Sequence, residues 1–264
     1  MKVLFWNLNR NDNAELIVSC LKEHDIDIAV FSEYTDYSLS KVEQQTEGLY
    51  RHLQGVGGCR KITAIVKESV HFINSFEQPR YVIYCLEVRN AKYVLAGVHL
   101  QDQRNRQSAI RIETIGRLVN DVSEYERCNR CSNTIIIGDF NANPFDPELL
   151  QFNAFNSALY KDVIMNSEKR VIDGEEYRRF YNPIINYLSE ETKMYGSYYD
   201  THGESSPVWH CLDQVLLSVS LIEGVESMQY LKSIGVQSLL KDIRPDKSIS
   251  DHLPLLVQLR GSEG

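Results

Sequence analysis

The sequence lacks a long apolar run, and this absence excludes a protein that crosses a membrane through helices. None of its 264 residues lies in an uninterrupted apolar segment near the roughly eighteen residues that a membrane-spanning helix needs. The opening stretch, MKVLFWNLNR, also lacks the long apolar core and small-residue cleavage site of a secretory signal. We therefore expect residues 1–7 to form the first strand of the fold, in a cytoplasmic protein with no membrane partner.

Basic residues are outnumbered by acidic ones, which limits how the protein can hold a polyanion. Lys and Arg total 28 against 36 Asp and Glu, so the formal net charge is -8. A protein that grips nucleic acid by bulk electrostatics needs the opposite balance. A nuclease with a local basic rim stays compatible with this composition.

Cysteine is too sparse for a disulfide-rich scaffold, and its spacing does not complete a zinc site. Cys20, Cys85 and Cys211 lie in apolar stretches, where thiols act as small buried hydrophobes, so we expect them to be buried and reduced. Cys128 and Cys131 form one CxxC pair, but no second pair follows at a plausible spacing. We interpret that pair as incidental rather than metal-binding.

One glycine-rich segment is similarly incomplete as a phosphate-binding motif. Residues 55–58 read GVGG and lack the lysine and serine of a phosphate-binding loop. We expect a hairpin loop there.

What the sequence does contain is a series of short β-rich runs separated by amphipathic segments. Several runs are apolar almost throughout, as in VLFW, IAVF and TIIIG, which predicts sheets covered on both faces. The length favours one domain, 1–264, with an α/β fold in which helices lie outside packed β-sheets. A polar stretch over residues 167–210 predicts long surface loops. We predict helices over residues 13–24, 106–125 and 147–152, and strands over residues 2–7, 26–33, 62–67, 81–88, 93–100, 134–140, 213–219, 225–231 and 255–259.

Polar side chains with catalytic chemistry stand at the ends of these runs. One run ends in an amide, another in a carboxylate, and another in an imidazole, while TIIIGDFN ends in an acid and an amide on one side of an extended chain. Any one of them is explained as well by ordinary strand termination. Their repetition at six strand ends favours convergence on one rim. The residues are Asn7, Glu33, His99, Asp139, Asn141, Asp213, Asp251 and His252.

These residues lie in motifs that resemble those of the endonuclease/exonuclease/phosphatase superfamily. WNLNR, FSEYT, GVHL, GDFNANP, LDQVLLS and SDHLPL occur in the order and approximate spacing of that superfamily, over about residues 1–260. The superfamily includes pancreatic-type DNases, abasic-site endonucleases, inositol polyphosphate 5-phosphatases and sphingomyelinases. The resemblance implies a four-layer αββα sandwich of two packed mixed β-sheets flanked by helices, with the site at one edge of the sheets.

The resemblance also implies a divalent-metal site. Glu33 matches the metal-binding glutamate, Asn7 the amide beside the metal, and Asp251 a further acid of the cluster. Hard oxygen ligands of this kind suit Mg²⁺ or Mn²⁺. Asn9 stands where abasic-site endonucleases carry an acid, so we expect one metal ion rather than two.

Further matches imply roles around the scissile phosphate. Asp139 and Asn141 match the acid and amide that hold the attacking water and the phosphate. His252 matches the histidine beside the phosphate, and Asp213 the acid that orients it. His99 matches a second histidine near the leaving oxygen. A carboxylate beside water would align in-line attack on phosphorus.

Three functions stay open on the sequence alone. A nuclease that cuts DNA or RNA is favoured, because arginines alternate with aromatic side chains as in nucleic-acid grooves. A phosphatase of a small metabolite, such as an inositol phosphate or a nucleotide, fits the acidic net charge. A non-catalytic binding module of this fold is the third, disfavoured because every catalytic position is filled. The predicted substrate contacts are Arg104, Arg106, Arg178, Arg179 and Tyr181.

Overall fold

Two large mixed β-sheets organise the computed structural model, which describes residues 1–55, 57–102, 108–200 and 208–260. The first sheet has the strand order β16-β21-β1-β2-β4-β3, and the second has the order β5-β6-β7-β8-β15-β12-β9. The first sheet consists of β1 (Lys2–Asn7), β2 (Ile28–Ser32), β3 (Tyr50–Leu53), β4 (Ile62–Lys67), β16 (Val225–Tyr230) and β21 (Leu255–Leu259). The second consists of β5 (His71–Gln78), β6 (Tyr81–Val88), β7 (Ala91–His99), β8 (Thr134–Asp139), β9 (Ser157–Ala158), β12 (Phe180–Tyr181) and β15 (Asp213–Leu217).

Helices and short ribbons complete the described part of the chain. The helices are α1 (Ala14–Glu23), α2 (Asp36–Gln45), α3 (Ser108–Asn129), α4 (Pro147–Leu150) and α5 (Lys161–Asn166), with 3₁₀ turns at Pro183–Asn186 and Val219–Gly224. The two-stranded ribbons pair β10 (Lys169–Ile172) with β11 (Glu175–Arg178), β13 (Tyr198–Tyr199) with β14 (Trp209–His210), β17 (Ser233–Ile234) with β18 (Gln237–Ser238), and β19 (Leu240–Lys241) with β20 (Arg244–Pro245). None of the described helices combines the length and apolarity needed to cross a bilayer.

Strand β8 shows why its sequence is apolar without interruption. Ile135 and Ile137 lie in the core shared with the first sheet, whereas Ile136 lies in a second core that also contains Leu118 and Val122 of α3. Alternate side chains of a strand point to opposite faces, so a strand between a sheet and a helix must be apolar on both. The predicted sandwich of packed sheets flanked by helices is confirmed.

Two of the regular elements that the sequence analysis missed, α2 and β5, have few buried side chains. Helix α2 buries only Ser38, Leu39 and Val42 along its ten residues, and strand β5 has no fully buried residue. Periodicity is weak where one side of an element packs loosely, because the apolar stripe is then too narrow to detect.

The segment 167–210, predicted as surface loops, is only partly at the surface. The β10–β11 ribbon is exposed, but Phe180 and Tyr181 are buried and pair with strands β9 and β15 of the second sheet. The prediction failed here because this two-residue strand is too short to give a periodic signal.

We predict that Gly138→Ala destabilises the fold by about 3 kcal/mol or more, which chemical denaturation would measure. A Cβ atom at Gly138 would lie 2.0 Å from the backbone oxygen of Val98 on the neighbouring strand β7. Gly174→Ala is the matched control: its φ of +85° strains an added side chain, but no atom lies within 4 Å. The control should lose only about 1–2 kcal/mol. Equal losses in the two variants would contradict this account of the glycine.

Candidate active site

Three candidate residues form a row across the second sheet. Strands β7 and β8 are parallel and place His99 opposite Asp139, while the antiparallel pair β8–β15 places Asp139 opposite Asp213. Side chains at directly paired positions point to the same face of a sheet. Register alone therefore brings these three groups side by side.

The first sheet contributes two more groups at the same edge. Asn7 ends β1 and pairs with Ser32, the last residue of β2, and Glu33 follows at once. Glu33 has a left-handed backbone (φ 47°), which is uncommon for a residue other than glycine and marks the sharp exit from the strand. The N–H groups of Leu8 and Arg10 donate to the carbonyls of Ser32 and Glu33 at 2.9 and 2.7 Å, and so hold this exit in place.

Contacts across the interface between the sheets join the two sets. Asn7 donates from Nδ2 to Oδ2 of Asp139 at 3.2 Å. Nε2 of His99 lies 3.4 Å from Glu33 and 3.5 Å from Asp139. The hydrogen bond from His99 lowers the pKa of Glu33 to about 2, so Glu33 is a carboxylate at neutral pH.

Asp213 and His252 form a buried pair, with Nδ1 of His252 2.7 Å from Oδ2 of Asp213. Burial by itself would lower the pKa of His252. The charge and hydrogen bond of Asp213, with further help from Asp139 and Asp251, outweigh burial and raise that pKa to about 10. The imidazole is therefore a cation that donates from Nδ1 to Asp213.

Asp139 lies between this pair and the first sheet. Its side chain is 3% exposed, and this burial raises its pKa although His252 and His99 act in the opposite direction. Its Oδ1 accepts the backbone N–H of Asn141 at 2.8 Å. Asn141 is also left-handed (φ 48°) and donates from Nδ2 to the carbonyl of Leu100 at 3.1 Å, so its amide is held beside the carboxylate.

The donor set decides where a metal ion fits. Asp139, Asp213 and His252 bring ligand atoms within 4.8 Å of one another, and Oδ1 of Asp213 is buried without a hydrogen-bond partner among the described residues. An ion among them would have to replace the 2.7 Å hydrogen bond, so we interpret this group as an acid–base pair. The half-exposed, anionic Glu33, with the amide of Asn7, fits a hard divalent ion better.

Asp251, the third predicted metal ligand, is less closely tied to the site. It is half-buried next to His252, whose pKa its charge helps to raise, but it has no hydrogen bond or ion pair with another described residue. Its role as a ligand stays a prediction.

A second row of side chains, outside the predicted site residues, lies beside His252. Tyr198 bridges to His252 on one side and pairs with His210 of strand β14 on the other. The ring centroids of Tyr198 and His252 are 5.0 Å apart. Nδ2 of Asn143 lies 3.0 Å from Nδ1 of His210, and Oδ1 of Asn143 accepts the N–H of Cys211. Asn143 belongs to the GDFNANP motif, and its amide was the one signal for this contact.

Three of the predicted substrate contacts, Arg178, Arg179 and Tyr181, lie away from His252 and Asp139 in the structure. Arg178 forms an ion pair with Glu126 through two hydrogen bonds. Glu126 also accepts a hydrogen bond from Thr134 at the start of β8. The guanidinium of Arg178 lies 4.6 Å from the ring centroid of Phe180. Thr134 and Asp139 are the two ends of β8, so Arg178 lies at the end of the sheet away from the site. A strand of that length spans roughly 17 Å.

Arg179 and Tyr181, like Arg178, make their contacts within the fold. Arg179 donates to the carbonyl of Ser167, and Tyr181 is 1% exposed and pairs with Leu217 at the far end of β15. Arg178 and Tyr181 therefore take part in contacts within the fold, at the end of the second sheet opposite Asp139. Arg104 and Arg106 lie outside the described residues.

The model of the Endonuclease/Exonuclease/phosphatase family matches residues 4–252, so the chain belongs to that family. The family's name covers nucleases and phosphatases, both of which hydrolyse phosphoester bonds. A comparison with curated protein sequences gives no match.

Solved structures with the same fold include a phosphatase and a protein complexed with a DNA product. Truncated TDP2 from Caenorhabditis elegans is 15% identical, with a TM-score of 0.63 and coverage of 98% of this chain and 97% of that chain. The mannosyl-6-phosphatase Bt3783 from Bacteroides thetaiotaomicron is 14% identical, with a TM-score of 0.65 and coverage of 98% and 99%. TDP2 from D. rerio, complexed with a single-strand DNA product, is 16% identical, with a TM-score of 0.59 and coverage of 97% of each chain. Identities this low show a common fold and leave the substrate open.

We predict that Asp213→Asn lowers the pKa of His252 from about 10 to below its usual range, because burial is then opposed by less negative charge. Titration of the His252 ring followed by NMR would measure this change. The variant should also lose about 3–5 kcal/mol of stability near pH 7, the usual cost of breaking a buried ion pair. Because the folded-state pKa is raised, this stabilisation is complete below about pH 6.5 and disappears as the pH rises through about 10. A variant whose His252 still titrates near pH 10 would contradict the assignment.

Proposed function

We propose that the protein is a divalent-metal-dependent hydrolase of phosphoester bonds. The observation that carries this proposal is the buried Asp213–His252 pair, which faces Asp139 and lies at the edge where Glu33 and Asn7 end the first sheet. A cationic imidazole, a carboxylate of raised pKa and a separate anionic carboxylate are the groups that hydrolysis of a phosphoester requires. A non-catalytic binding module has no need of a buried charged pair at its edge.

The chain's own side chains suit in-line attack by water. Asp139, whose pKa is raised by burial, accepts a proton from the attacking water, and Asn141 orients the phosphate through its fixed amide. As the new bond to phosphorus forms, the bond to the ester oxygen breaks. The leaving oxygen takes a proton from solvent, to which Asp139 returns the proton that it accepted. Nδ1 of His252 is occupied by Asp213, so Nε2 is left to donate to a phosphoryl oxygen as negative charge develops there. His99 lies between Glu33 and Asp139 and holds both carboxylates in position.

Glu33 and Asn7, with Asp251, would hold a single Mg²⁺ or Mn²⁺ ion. When bound, the ion would neutralise charge on the phosphoryl oxygens. Support comes from the low pKa of Glu33, because a ligand that is already ionised binds a cation without losing a proton.

We predict that hydrolysis of bis(p-nitrophenyl) phosphate requires added Mg²⁺ or Mn²⁺ and stops with chelator. Asp139→Asn and His252→Ala should each lower kcat by at least about a hundredfold, the scale of a positioned acid–base group. Glu33→Gln should first raise the metal concentration that gives half the maximal rate. Arg178→Ala is the control, because it removes a charge at the far end of β8. Full turnover after exhaustive chelation would overturn the metal assignment, and near-normal turnover in either catalytic variant would remove that residue from the mechanism.

We propose further that the substrate is a small phosphoester. The sequence favoured a polynucleotide because of Arg178 and Arg179, but Arg178 is paired with Glu126 and both lie away from the site. With a net charge of -8, the protein as a whole then has little positive charge to balance the phosphates of a long polyanion.

A nuclease acting on DNA or RNA is the second candidate. Tyr198 lies against His252, and Tyr199 meets Trp209 edge to face at 5.1 Å, so the β13–β14 ribbon offers aromatic surfaces on which bases can stack. The single-strand DNA product in the structure of D. rerio TDP2 supports this candidate for the fold.

A double substitution tests whether Arg178 and Arg179 hold nucleic acid. We predict that replacing both with alanine leaves turnover of bis(p-nitrophenyl) phosphate, and of any oligonucleotide substrate, at the wild-type value in both 50 and 200 mM salt. The double variant should be less stable, because the ion pair with Glu126 is lost. An oligonucleotide held by these arginines would instead lose affinity with a slope of about -0.7 per phosphate contact, and the variant would flatten it. If the double variant shows a weaker dependence of affinity on salt than the wild type, the two arginines do contact nucleic acid.

A further inference from the structure

A cavity lies beside the candidate active site. Its volume is about 690 Å³, within the roughly 300–1,000 Å³ typical of small-molecule sites. We call it the side cleft, and its walls come from the loop after β2, the start of α2, the β3–β4 connection and strands β5 and β6. Residues of both sheets therefore line it.

The side cleft begins next to Glu33, the proposed metal ligand at the end of β2. Tyr34, on its wall, is the residue after Glu33. Ile62 and Thr63, also on its wall, pair with Ser32 and Phe31 at the end of β2. A phosphoester with its phosphate at the site can thus extend its remaining part into the cleft.

Close packing of the two sheets fixes this placement. A Cβ atom at Gly97, two residues before His99, would lie 2.7 Å from Cγ2 of Ile62. The absence of a side chain at Gly97 therefore lets the wall of the cleft approach the strand that carries His99.

The lining of the side cleft is mostly polar, with a few aromatic and apolar side chains among the polar ones. Tyr84 and Val82 are buried on the floor, and Tyr34 is half-buried beside them. Asp36 and Gln54 are exposed at the mouth. Such a wall fits a ring whose faces are apolar and whose edge carries hydrogen-bonding groups.

One carboxylate of the cleft is held by backbone. Oε2 of Glu77 accepts the N–H groups of Gly58 and Cys59 at 2.6 and 3.0 Å. A Cβ atom at Gly55 would lie 2.6 Å from Oε1 of Glu77, so a side chain there would displace the carboxylate. The glycine-rich segment noted in the sequence thus positions an acid instead of binding a phosphate.

The charges that line the cleft select against a polyanion. Asp36 and Glu77 outnumber the single lining arginine, Arg60, among the described residues. His52 adds no charge near neutral pH, because burial lowers its pKa. Ionised carboxylates only accept hydrogen bonds, so a ligand that contacts Asp36 or Glu77 through a polar group has to donate, as hydroxyl groups do.

We propose that the side cleft binds the uncharged, hydroxyl-rich part of a phosphomonoester, a sugar or polyol, while its phosphate lies at His252 and Asp139. This inference rests on the proposed function and narrows it to a substrate class. Asp36 and Glu77 are then specificity residues that receive hydroxyl hydrogen bonds, and Tyr34 supplies a surface for the apolar face of the ring.

The test compares two substrates in the same variants. Glucose 6-phosphate, mannose 6-phosphate, glycerol 3-phosphate and myo-inositol 1-phosphate form the panel, and p-nitrophenyl phosphate is the ester without hydroxyl groups. Asp36→Asn and Glu77→Gln should each lower kcat/KM for the best panel member by about ten- to hundredfold, the value of a hydrogen bond to a charged group, mainly through KM. Turnover of p-nitrophenyl phosphate should change less than about twofold, because these residues do not touch the reacting phosphate.

Asp162→Asn is the matched control. Asp36 and Asp162 are each the acid in the first turn of a helix, α2 and α5, so both substitutions remove the same favourable helix interaction. Only Asp36 lines the side cleft. The control should leave both substrates unaffected.

The outcomes separate the cleft from the catalytic chemistry. Equal losses on both substrates, or no loss on either, would overturn the proposal for the cleft. Hydrolysis of p-nitrophenyl phosphate with no turnover of any panel member would also overturn it, while leaving the phosphoesterase in place. If no ester is hydrolysed, the proposed function fails. Calorimetric titration of glucose 6-phosphate into the His252→Ala variant then tests the proposal for the cleft. Binding that becomes about tenfold weaker when Asp36→Asn is added supports the proposal, and an absence of binding overturns it.

Discussion

The interaction on which the site depends is the buried hydrogen bond between Asp213 and His252. A cationic imidazole in a protein interior is costly unless a carboxylate faces it at hydrogen-bond distance, and here the two atoms are 2.7 Å apart. The surrounding structure keeps that pair aligned. Ser197 accepts the N–H of Asp213 through its hydroxyl, Tyr230 donates to the carbonyl of Asp213, and Trp6 donates to the carbonyl of His252. Two residues of the first sheet, Trp6 and Tyr230, thus hold both partners of the pair.

The strand ends were readable from the sequence because each combines an apolar run with an abrupt polar residue. The bounds of β1, β4, β6 and β21 agree with the predicted strands, and Cys20, Cys85 and Cys211 are buried as expected. The motif GDFN combines a glycine that admits the neighbouring strand with an acid at the strand end, so packing and chemistry coincide there. Such signals involve neighbouring residues only, so they can be detected without knowing which strands pair.

Partners distant in the chain could not be read in this way. Arg178 looks like a nucleic-acid contact until Glu126, on a helix 52 residues earlier, neutralises it. His210 carries no motif, and its position beside Tyr198 follows from a two-residue ribbon and from Gly196, where a Cβ would lie 2.6 Å from the carbonyl oxygen of His210. Both results depend on long-range pairing, which leaves no periodic trace in the sequence.

The hydrogen bond from Asn7 to Asp139 crosses from one sheet to the other and joins residues 132 positions apart. Contacts of this span form late when a chain folds, because a long loop must close before they contribute any stability. Either sheet can pair its own strands beforehand, yet neither carries a complete set of reacting groups. The recovery of catalysis after dilution from denaturant therefore reports the docking of the two sheets, and it should lag behind the recovery of β-structure seen by circular dichroism.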